Sequence, residues 1–409
     1  MTVYKLTSGR KFNTPRITLP LSKSISNRLM LINALTEGAI EPTYAECDDT
    51  NAMAAALKSN SDNINIGAAG TAMRFLTAYF ATREGRTVIL DGSERMRQRP
   101  ISPLVTALRT IGAEIEYTAN EGFPPLKITG RKLRGGNVEI DASISSQFIS
   151  ALMMIAPAMQ EPLKIRLSGE LVSRPYVDMT AELMKKFGVN TTITDDSIYI
   201  PNAPYRRTEI IVEGDWSAAS YWYEIVSLTG KYVEITNLSE DSIQGDSDIN
   251  ELFDIVGVVS FNDGNGLFTI MKSAVNTCHS LEIDMDDMPD TAQTLAVTLC
   301  LNDVRFRMTG LGTLPRKETN RLAALQQELK KIGFVIEIEN NDTIEWNGDT
   351  IEPTFEPIET YKDHRMAMAF APAVLKFKEL KMVDIDVVSK SYPTFWKDLE
   401  KIGIKAEKI

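Results

Sequence analysis

Apolar helical runs with small or hydroxyl-rich starts recur along this chain. They open at Ser24-Ile25-Ser26-Asn27, Gly70-Thr71-Ala72-Met73, Ser145-Ser146-Gln147-Phe148, Ser217-Ala218-Ala219-Ser220, Asp290-Thr291-Ala292-Gln293 and Asp363-His364-Arg365-Met366. From Thr71 onward the starts lie roughly 72 to 74 residues apart, and fixed spacing of this kind marks an internal repeat. A second, more amphipathic helix follows each start and usually stops at glycine, the expected C-terminal signal. Examples are Pro100 to Ile111 before Gly112, Tyr176 to Phe187 before Gly188, Lys317 to Ile332 before Gly333 and Pro393 to Ile402 before Gly403. Strands read between them at Thr87 to Leu90, Glu114 to Tyr117, Leu126 to Thr129, Val233 to Thr236 and Val335 to Glu339, from β-branched or alternating patterns. Six copies of strand-helix-strand-helix-strand-strand would account for nearly the whole chain. The first copy is shortened, because its successor begins only about 47 residues later. Separate α/β units, three to a lobe with a ligand cleft between two lobes, are favoured over one large sheet.

A chain of 409 residues exceeds one ordinary core. Apolar and charged contents of 43% and 24% are those of a globular protein, and no apolar run approaches membrane-spanning length. The start MTVYKLTSGRKF lacks a signal-peptide core, and Cys47, Cys278 and Cys300 show no paired spacing, so a reducing cytoplasm is expected. With only His279 and His364 present, a histidine-rich metal site is not expected. A net charge of −11 argues against nucleic acid or an anionic membrane as partner. An anionic ligand would need a site that concentrates cations against that mean.

Such concentrations exist. In Leu19-Pro20-Leu21-Ser22-Lys23-Ser24-Ile25-Ser26-Asn27-Arg28, Ser22 or Ser24 can cap a helix whose free amides, with Lys23 and Arg28, suit a phosphate or carboxylate. Gly67-Ala68-Ala69-Gly70-Thr71 is a glycine-rich turn opening a helix. Arg95-Met96-Arg97-Gln98-Arg99-Pro100 sets three arginines before a proline-started helix, and Leu171-Val172-Ser173-Arg174-Pro175-Tyr176 repeats the theme. Ser145, Ser146 and Gln147 exceed what capping alone requires. Lys317 and Arg321 fall four apart on the expected helix, with Glu318 beside them, and Arg365 and Lys390 complete the cations. Asp290 follows the acidic Asp284, Asp286 and Asp287. Each stretch taken alone also fits a tight turn, a cap or a solvated charged face. No nucleophile elbow, phosphate loop, dinucleotide fingerprint or metal quartet accompanies them. Cations and hydroxyls at helix starts with isolated carboxylates suit a bisanionic substrate pair and general acid-base work.

The motifs LPLSKSISNR, GAAGTAMR, RMRQRP, SSQF, LVSRPY, EGDWSAASY, SIQGD, MPDTAQT, RKETNRL, YKDHRMAM and SKSYP stand in one order from end to end. In these the chain resembles the 3-phosphoshikimate 1-carboxyvinyltransferase (EPSP synthase) family. The resemblance implies a two-lobed inside-out α/β barrel, each lobe three βαβαββ units, joined by two crossovers near Leu19-Pro20 and Val212 to Asp215. One lobe would span residues 20–213 and the other 1–19 plus 214–409. It implies a cofactor-free and metal-free enolpyruvyl transfer from phosphoenolpyruvate to the 5-hydroxyl of shikimate 3-phosphate, by a cytoplasmic enzyme expected to be a monomer. Residue by residue, Lys23, Ser24, Arg28, Ser145, Ser146, Gln147, Ser173, Asp290 and Lys317 match the shikimate 3-phosphate positions. Lys23, Gly70, Arg99, Gln147, Arg321, Arg365 and Lys390 match the phosphoenolpyruvate positions. Asp290 matches the proton acceptor, Glu318 the proton donor and Lys23 a residue reaching both substrates. Tyr176, Asp215 and His364 match further cleft positions.

The chain departs from that pattern at several positions. Ala68 stands for an asparagine, Phe75 for a proline, Thr313 for an asparagine at the shikimate phosphate site, Asn320 for an aspartate and Leu21 for a glycine. Catalysis should survive these, with altered phosphoenolpyruvate affinity and altered sensitivity to its competitor glyphosate. Two other readings stay open here: the related transferase acting on UDP-N-acetylglucosamine, and an inert anion-binding repeat protein. Against the first stands the absence of a cysteine between Arg95 and Pro100. Against the second stand intact Lys23, Asp290, Glu318, Arg365 and Lys390.

Overall fold

One small sheet topology is used repeatedly. In the computed structural model, which describes residues 2–9, 14–264, 266–273 and 278–409, Asn63–Asn65 pairs parallel with Thr87–Asp91. Thr87–Asp91 pairs antiparallel with Leu126–Thr129, which pairs antiparallel with Glu114–Tyr117. The order first-second-fourth-third recurs in Gly136–Asp141, Leu163–Ser168, Ser197–Ile200 and Thr192–Ile193, and again in Ser280–Asp284, Arg305–Thr309, Thr343–Trp346 and Glu337–Glu339. A parallel first pair cannot be joined by a tight turn, so a helix must carry the chain across. The inner helices do this.

Two further sheets complete the same order with borrowed strands. Val233–Thr236, Leu267–Lys272 and Val258–Asn262 take Arg16–Ile17 as their parallel first strand. Glu379–Val383 and Ile404–Lys408 flank Val3–Ser8, which fills the fourth position, while Ile358 forms a parallel bridge to Met382 in the first. The six expected copies, the first of them shortened, thus supply five sheets among the described residues. The shortened first copy carries only the Lys23–Ala34 and Asp48–Lys58 helices before Asn63–Asn65. Too few residues separate these helices from the next copy to build strands of their own.

The residues form two compact units, one of the N-terminal segment up to Leu21 with Glu213–Ile409, the other of Ser22–Val212. In the second, the Lys23–Ala34, Gly70–Ala81 and Ser146–Ile155 helices are buried on nearly all sides, which explains their apolar composition. In the first, Trp216–Thr229, Ala292–Leu301 and His364–Phe370 play that part. The outer helices are one-sided: Arg321–Lys331 buries Leu322, Leu325 and Leu329 and ends on Lys330 and Lys331, where the helix dipole favours cations. No helix among the described residues is long and apolar enough to cross a membrane.

Several expected helix bounds shift for local reasons. Lys317 to Ile332 begins only at Arg321, because the Asn320 side chain caps the Ala323 amide at 3.2 Å and Lys317 is extended. Asp290 sits in a single 3-10 turn, Pro289–Thr291, ahead of the helix proper. Tyr176 to Phe187 starts earlier, at Arg174, with Pro175 in the first turn where its missing amide proton costs nothing. Pro100 to Ile111 and Pro393 to Ile402 contract to Ser102–Thr110 and Phe395–Glu400.

One buried group sits poorly in this frame. Ser220 Oγ donates to Thr294 Oγ1 at 3.3 Å and Asn302 Nδ2 to Ser227 Oγ at 2.9 Å, so a polar seam joins the Trp216–Thr229 and Ala292–Leu301 helices. Glu224 lies on the same face, one turn from each serine, fully buried, and its carboxyl oxygens have no partner among the described residues. Burial raises its pKa well above the carboxylate range. The native state then holds a proton that the unfolded chain releases above about pH 4.3, so this contribution to stability falls as pH rises from there. Glu224→Gln removes the titration. Denaturant midpoints should show the variant gaining stability relative to the parent as pH rises from 5 to 8, by about 1.4 kcal/mol per pH unit while the native carboxyl stays protonated.

Candidate active site

The second unit gathers its candidate residues at helix starts. Lys23 opens the Lys23–Ala34 helix, capped by Ser22, and its Nζ lies 3.3 Å from Asp49 Oδ2. Gly70 opens the next inner helix under the buried Arg99. A β-carbon at Gly70 would come within 2.6 Å of Arg99 Nη1, so the absent side chain makes room for the guanidinium. Ser145 caps the third, accepting from the Gln147 amide at 3.3 Å, and Gln147 Nε2 donates to Thr71 Oγ1 at 3.3 Å. Ser173 precedes Arg174–Lys186 in the left-handed region (φ 55°), a strained choice for serine that is common at functional sites.

Arg28 is the most committed of this set. Its Nε donates to Thr180 Oγ1 (2.7 Å), Nη1 to the Ser24 carbonyl (3.1 Å), and Nη2 to Ser150 Oγ (3.3 Å) and the Tyr176 carbonyl (3.0 Å). Burial lowers its pKa to about 10, which still leaves it charged at neutral pH. The guanidinium lies 5.5 Å from the centre of the Phe75 ring, a cation–π contact that gives a physical reason for phenylalanine at this position.

The first unit holds one continuous charge network. Arg321, 1% exposed, forks its Nε and Nη2 onto Asp363 at 2.8 and 3.3 Å. Its Nη1 reaches Asp290 Oδ1 at 2.9 Å and its Nη2 also reaches Glu318 Oε2 at 3.1 Å. Burial alone would lower the arginine pKa, yet Asp363, Glu318 and Asp290 together raise it. Asp290 further meets Lys317 Nζ at 3.5 Å and Arg365 Nη2 at 2.8 Å, and Glu318 Oε1 lies 3.5 Å from Lys390 Nζ. Asp363 caps His364–Phe370 by accepting from the Arg365 amide, with buried His364 beside it. Four cations (Lys317, Arg321, Arg365 and Lys390) thus surround Asp290, Glu318 and Asp363, a local concentration of cations in a chain of net charge −11.

A strained turn aims this network. Tyr361 and Lys362, directly before Asp363, both have positive φ (53° and 54°). The Tyr361 hydroxyl donates to Glu328 Oε1 at 2.6 Å, and the Glu359 amide to Glu328 Oε2 at 2.9 Å. The Arg321–Lys331 helix therefore holds the turn at both ends, through Glu328 and through Arg321. Each left-handed residue costs on the order of 1–3 kcal/mol, which these bonds offset.

The EPSP synthase (3-phosphoshikimate 1-carboxyvinyltransferase) family model matches residues 55–399. The chain belongs to the EPSP synthase family. A 3-phosphoshikimate 1-carboxyvinyltransferase of Bacteroides fragilis is 47% identical over 391 residues, covering 95% of each chain. Its counterpart in Mannheimia haemolytica is 35% identical over 426 residues, covering 95% of this chain and 96% of the other. An EPSP synthase structure from Acinetobacter baumannii, 21% identical, superposes over 100% of both chains with a TM-score of 0.78, and shares the fold.

Three carboxylates of these sets escaped the sequence reading: Asp49 against Lys23, Asp363 against Arg321, and Asp246, which touches Ser217. Each stands at a helix or turn start, where an aspartate reads as a cap. Among the departures, Asn320 still caps as aspartate would, and Thr313 buries its hydroxyl without a partner among the described residues.

Arginine and lysine should not be interchangeable at position 321. Lysine cannot fork, so Arg321→Lys breaks the two-pronged hold on the fully buried Asp363, while Asp290 keeps Arg365 and Glu318 keeps Lys390. Thermal unfolding should show a loss of about 3 kcal/mol. Arg307→Lys, which touches Glu339 and Glu345 at 2.6 Å in solvent, should leave the midpoint where it was.

Proposed function

We propose that this chain transfers the enolpyruvyl group of phosphoenolpyruvate to the 5-hydroxyl of shikimate 3-phosphate, as a monomer in the cytoplasm. The observation that carries this reading is the pair Asp290 and Glu318, held by opposite nitrogens of one buried guanidinium at 2.9 and 3.1 Å. A proton acceptor and a proton donor side by side among cations match an addition in which an alcohol loses a proton while a methylene gains one.

In this reading Ser24, Arg28, Ser145, Ser146, Gln147, Ser173 and Lys317 hold shikimate 3-phosphate, with Asp290 at its ring hydroxyls. Lys23, Gly70, Arg99, Gln147, Arg321, Arg365 and Lys390 hold phosphoenolpyruvate. Asp290 takes the proton of the 5-hydroxyl as its oxygen attacks the central carbon, and Glu318 protonates the methylene carbon. The ketal then expels phosphate onto the surrounding cations, the proton held by Asp290 passing to the departing oxygen, while Glu318 recovers the methyl proton, and the enol ether remains. Cations placed before the reaction stabilise the charge that develops on the departing phosphate without reorganising.

Glu318 acquires its proton through the substrate. Without ligand it faces Arg321 and Lys390, and cations favour the ionised carboxylate. A phosphoenolpyruvate anion seated on the same two side chains draws their charge and adds its own. Both changes favour the protonated acid, so Glu318 carries a proton to donate only when there is something to protonate.

Phosphate release tests the reading. It should appear with phosphoenolpyruvate and shikimate 3-phosphate and not with phosphoenolpyruvate and UDP-N-acetylglucosamine; the opposite result would sink it. Lys23→Met should abolish turnover and leave the fold intact, as far-ultraviolet circular dichroism would show. Ala68→Asn should shift the Michaelis constant for phosphoenolpyruvate, and an unmoved constant would mean that position 68 does not set affinity.

A further inference from the structure

The motifs EGDWSAASY and SIQGD contribute nothing to the roles above, yet the structure brings them together at Asp290. The Gln244 side chain ties the two stretches. Its Nε2 donates to Glu213 Oε1 at 2.7 Å and to the Gly214 carbonyl at 2.8 Å, and its Oε1 accepts from the Trp216 amide at 3.2 Å. That clasp sets the Gly245–Asp248 turn across from the start of Trp216–Thr229. As a result, Ser217 Oγ donates to the buried Asp246 Oδ2. The same Ser217 oxygen accepts from Arg365 Nη2 at 3.3 Å, and this nitrogen reaches Asp290 Oδ2 at 2.8 Å. A hydroxyl both donates and accepts, so Ser217 links Asp246 to the arginine and orients it.

We propose that Asp246 is a positioning residue: by holding Ser217 it fixes the Arg365 guanidinium, and so sets the affinity for the phosphoenolpyruvate anion. This rests on Arg365 having the role given to it above. The alternative is that Asp246 only neutralises a buried cation. The geometry argues against that, because Arg365 already has Asp290 as its counter-ion and a second carboxylate adds repulsion between the acids. The charged groups facing Asp246 are Asp290, Arg365 and Asp215. Burial, followed by repulsion from Asp290, pushes its pKa up to about 6, the sign expected of a carboxyl kept for its position.

The experiment is steady-state kinetics of Asp246→Ala, Ser217→Ala, the double variant and Asp246→Asn, with thermal unfolding of each. Asp246→Ala and Ser217→Ala should each raise the Michaelis constant for phosphoenolpyruvate about tenfold, the loss of one charge-assisted hydrogen bond. Turnover number and the constant for shikimate 3-phosphate should stay within about twofold, the scale of roughly half a kcal/mol. The double variant should be no worse than either single one, since both break the same link. Asp246→Asn keeps an acceptor for Ser217 and should retain most of the affinity, while the kcat/KM profile for phosphoenolpyruvate loses an ionisation near pH 6. Unchanged affinity in Ser217→Ala, additive losses in the double variant, or equal losses for both substrates with a falling melting temperature would each overturn the proposal. Ser217→Ala keeps it falsifiable should Asp246→Ala fail to fold. No phosphate release by the unaltered chain would remove instead the functional reading beneath it.

Discussion

Arg321 is the interaction on which the first unit's site depends. A guanidinium 1% exposed would cost several kcal/mol to bury alone, and three carboxylates with geometrically matched bonds offset that cost. The planar fork matters as much as the charge. Its Nε edge takes Asp363, its Nη1 takes Asp290 and its Nη2 takes Glu318, so one rigid group sets the spacing of Asp290 and Glu318. Asp363 in turn caps the helix that carries Arg365. Position and charge are therefore settled by the same few bonds.

The repeat supplies the places where such bonds form. Each copy delivers an inner helix whose start is free of intrahelical partners, and the chain fills those starts with serine, glycine, lysine or aspartate. Nearly all-round burial of the helices behind keeps the starts rigid. Arg28 illustrates the division of labour. It ties Ser24, Ser150, Tyr176 and Thr180 into one frame.

Much of this was legible in the residues, and what was not has a common cause. Period, helix type and several strands follow from local pattern: Glu114–Tyr117, Leu126–Thr129 and Val233–Thr236 stand where alternation put them. The borrowed strands do not follow, because Val3–Ser8 pairs with residues more than 370 positions away and no short-range signal specifies that. The start of the helix at Arg321 was misplaced, because Lys317 and Arg321 fit a helical face equally well, and only the Asn320 cap decides between them. The cations were readable as types. Their counter-ions were not, since an aspartate at a helix start looks the same whether it caps an amide, as Asp215 does, or also takes a distant guanidinium, as Asp363 does.

The ionic arrangement itself bears on how the site can discriminate. Each cation of the first unit's network is already paired, so an incoming ligand must exchange with a carboxylate rather than fill an empty charge. A weak or singly charged anion gains little from that exchange, because it replaces a bond as good as its own. A multiply charged, planar or tetrahedral anion meets several of Arg321, Arg365, Lys390 and Lys317 at once and gains in proportion. What it displaces is the pair Asp290 and Glu318, the two acids proposed above to move protons. On that proposal, selection of the anion and release of the acids are one event.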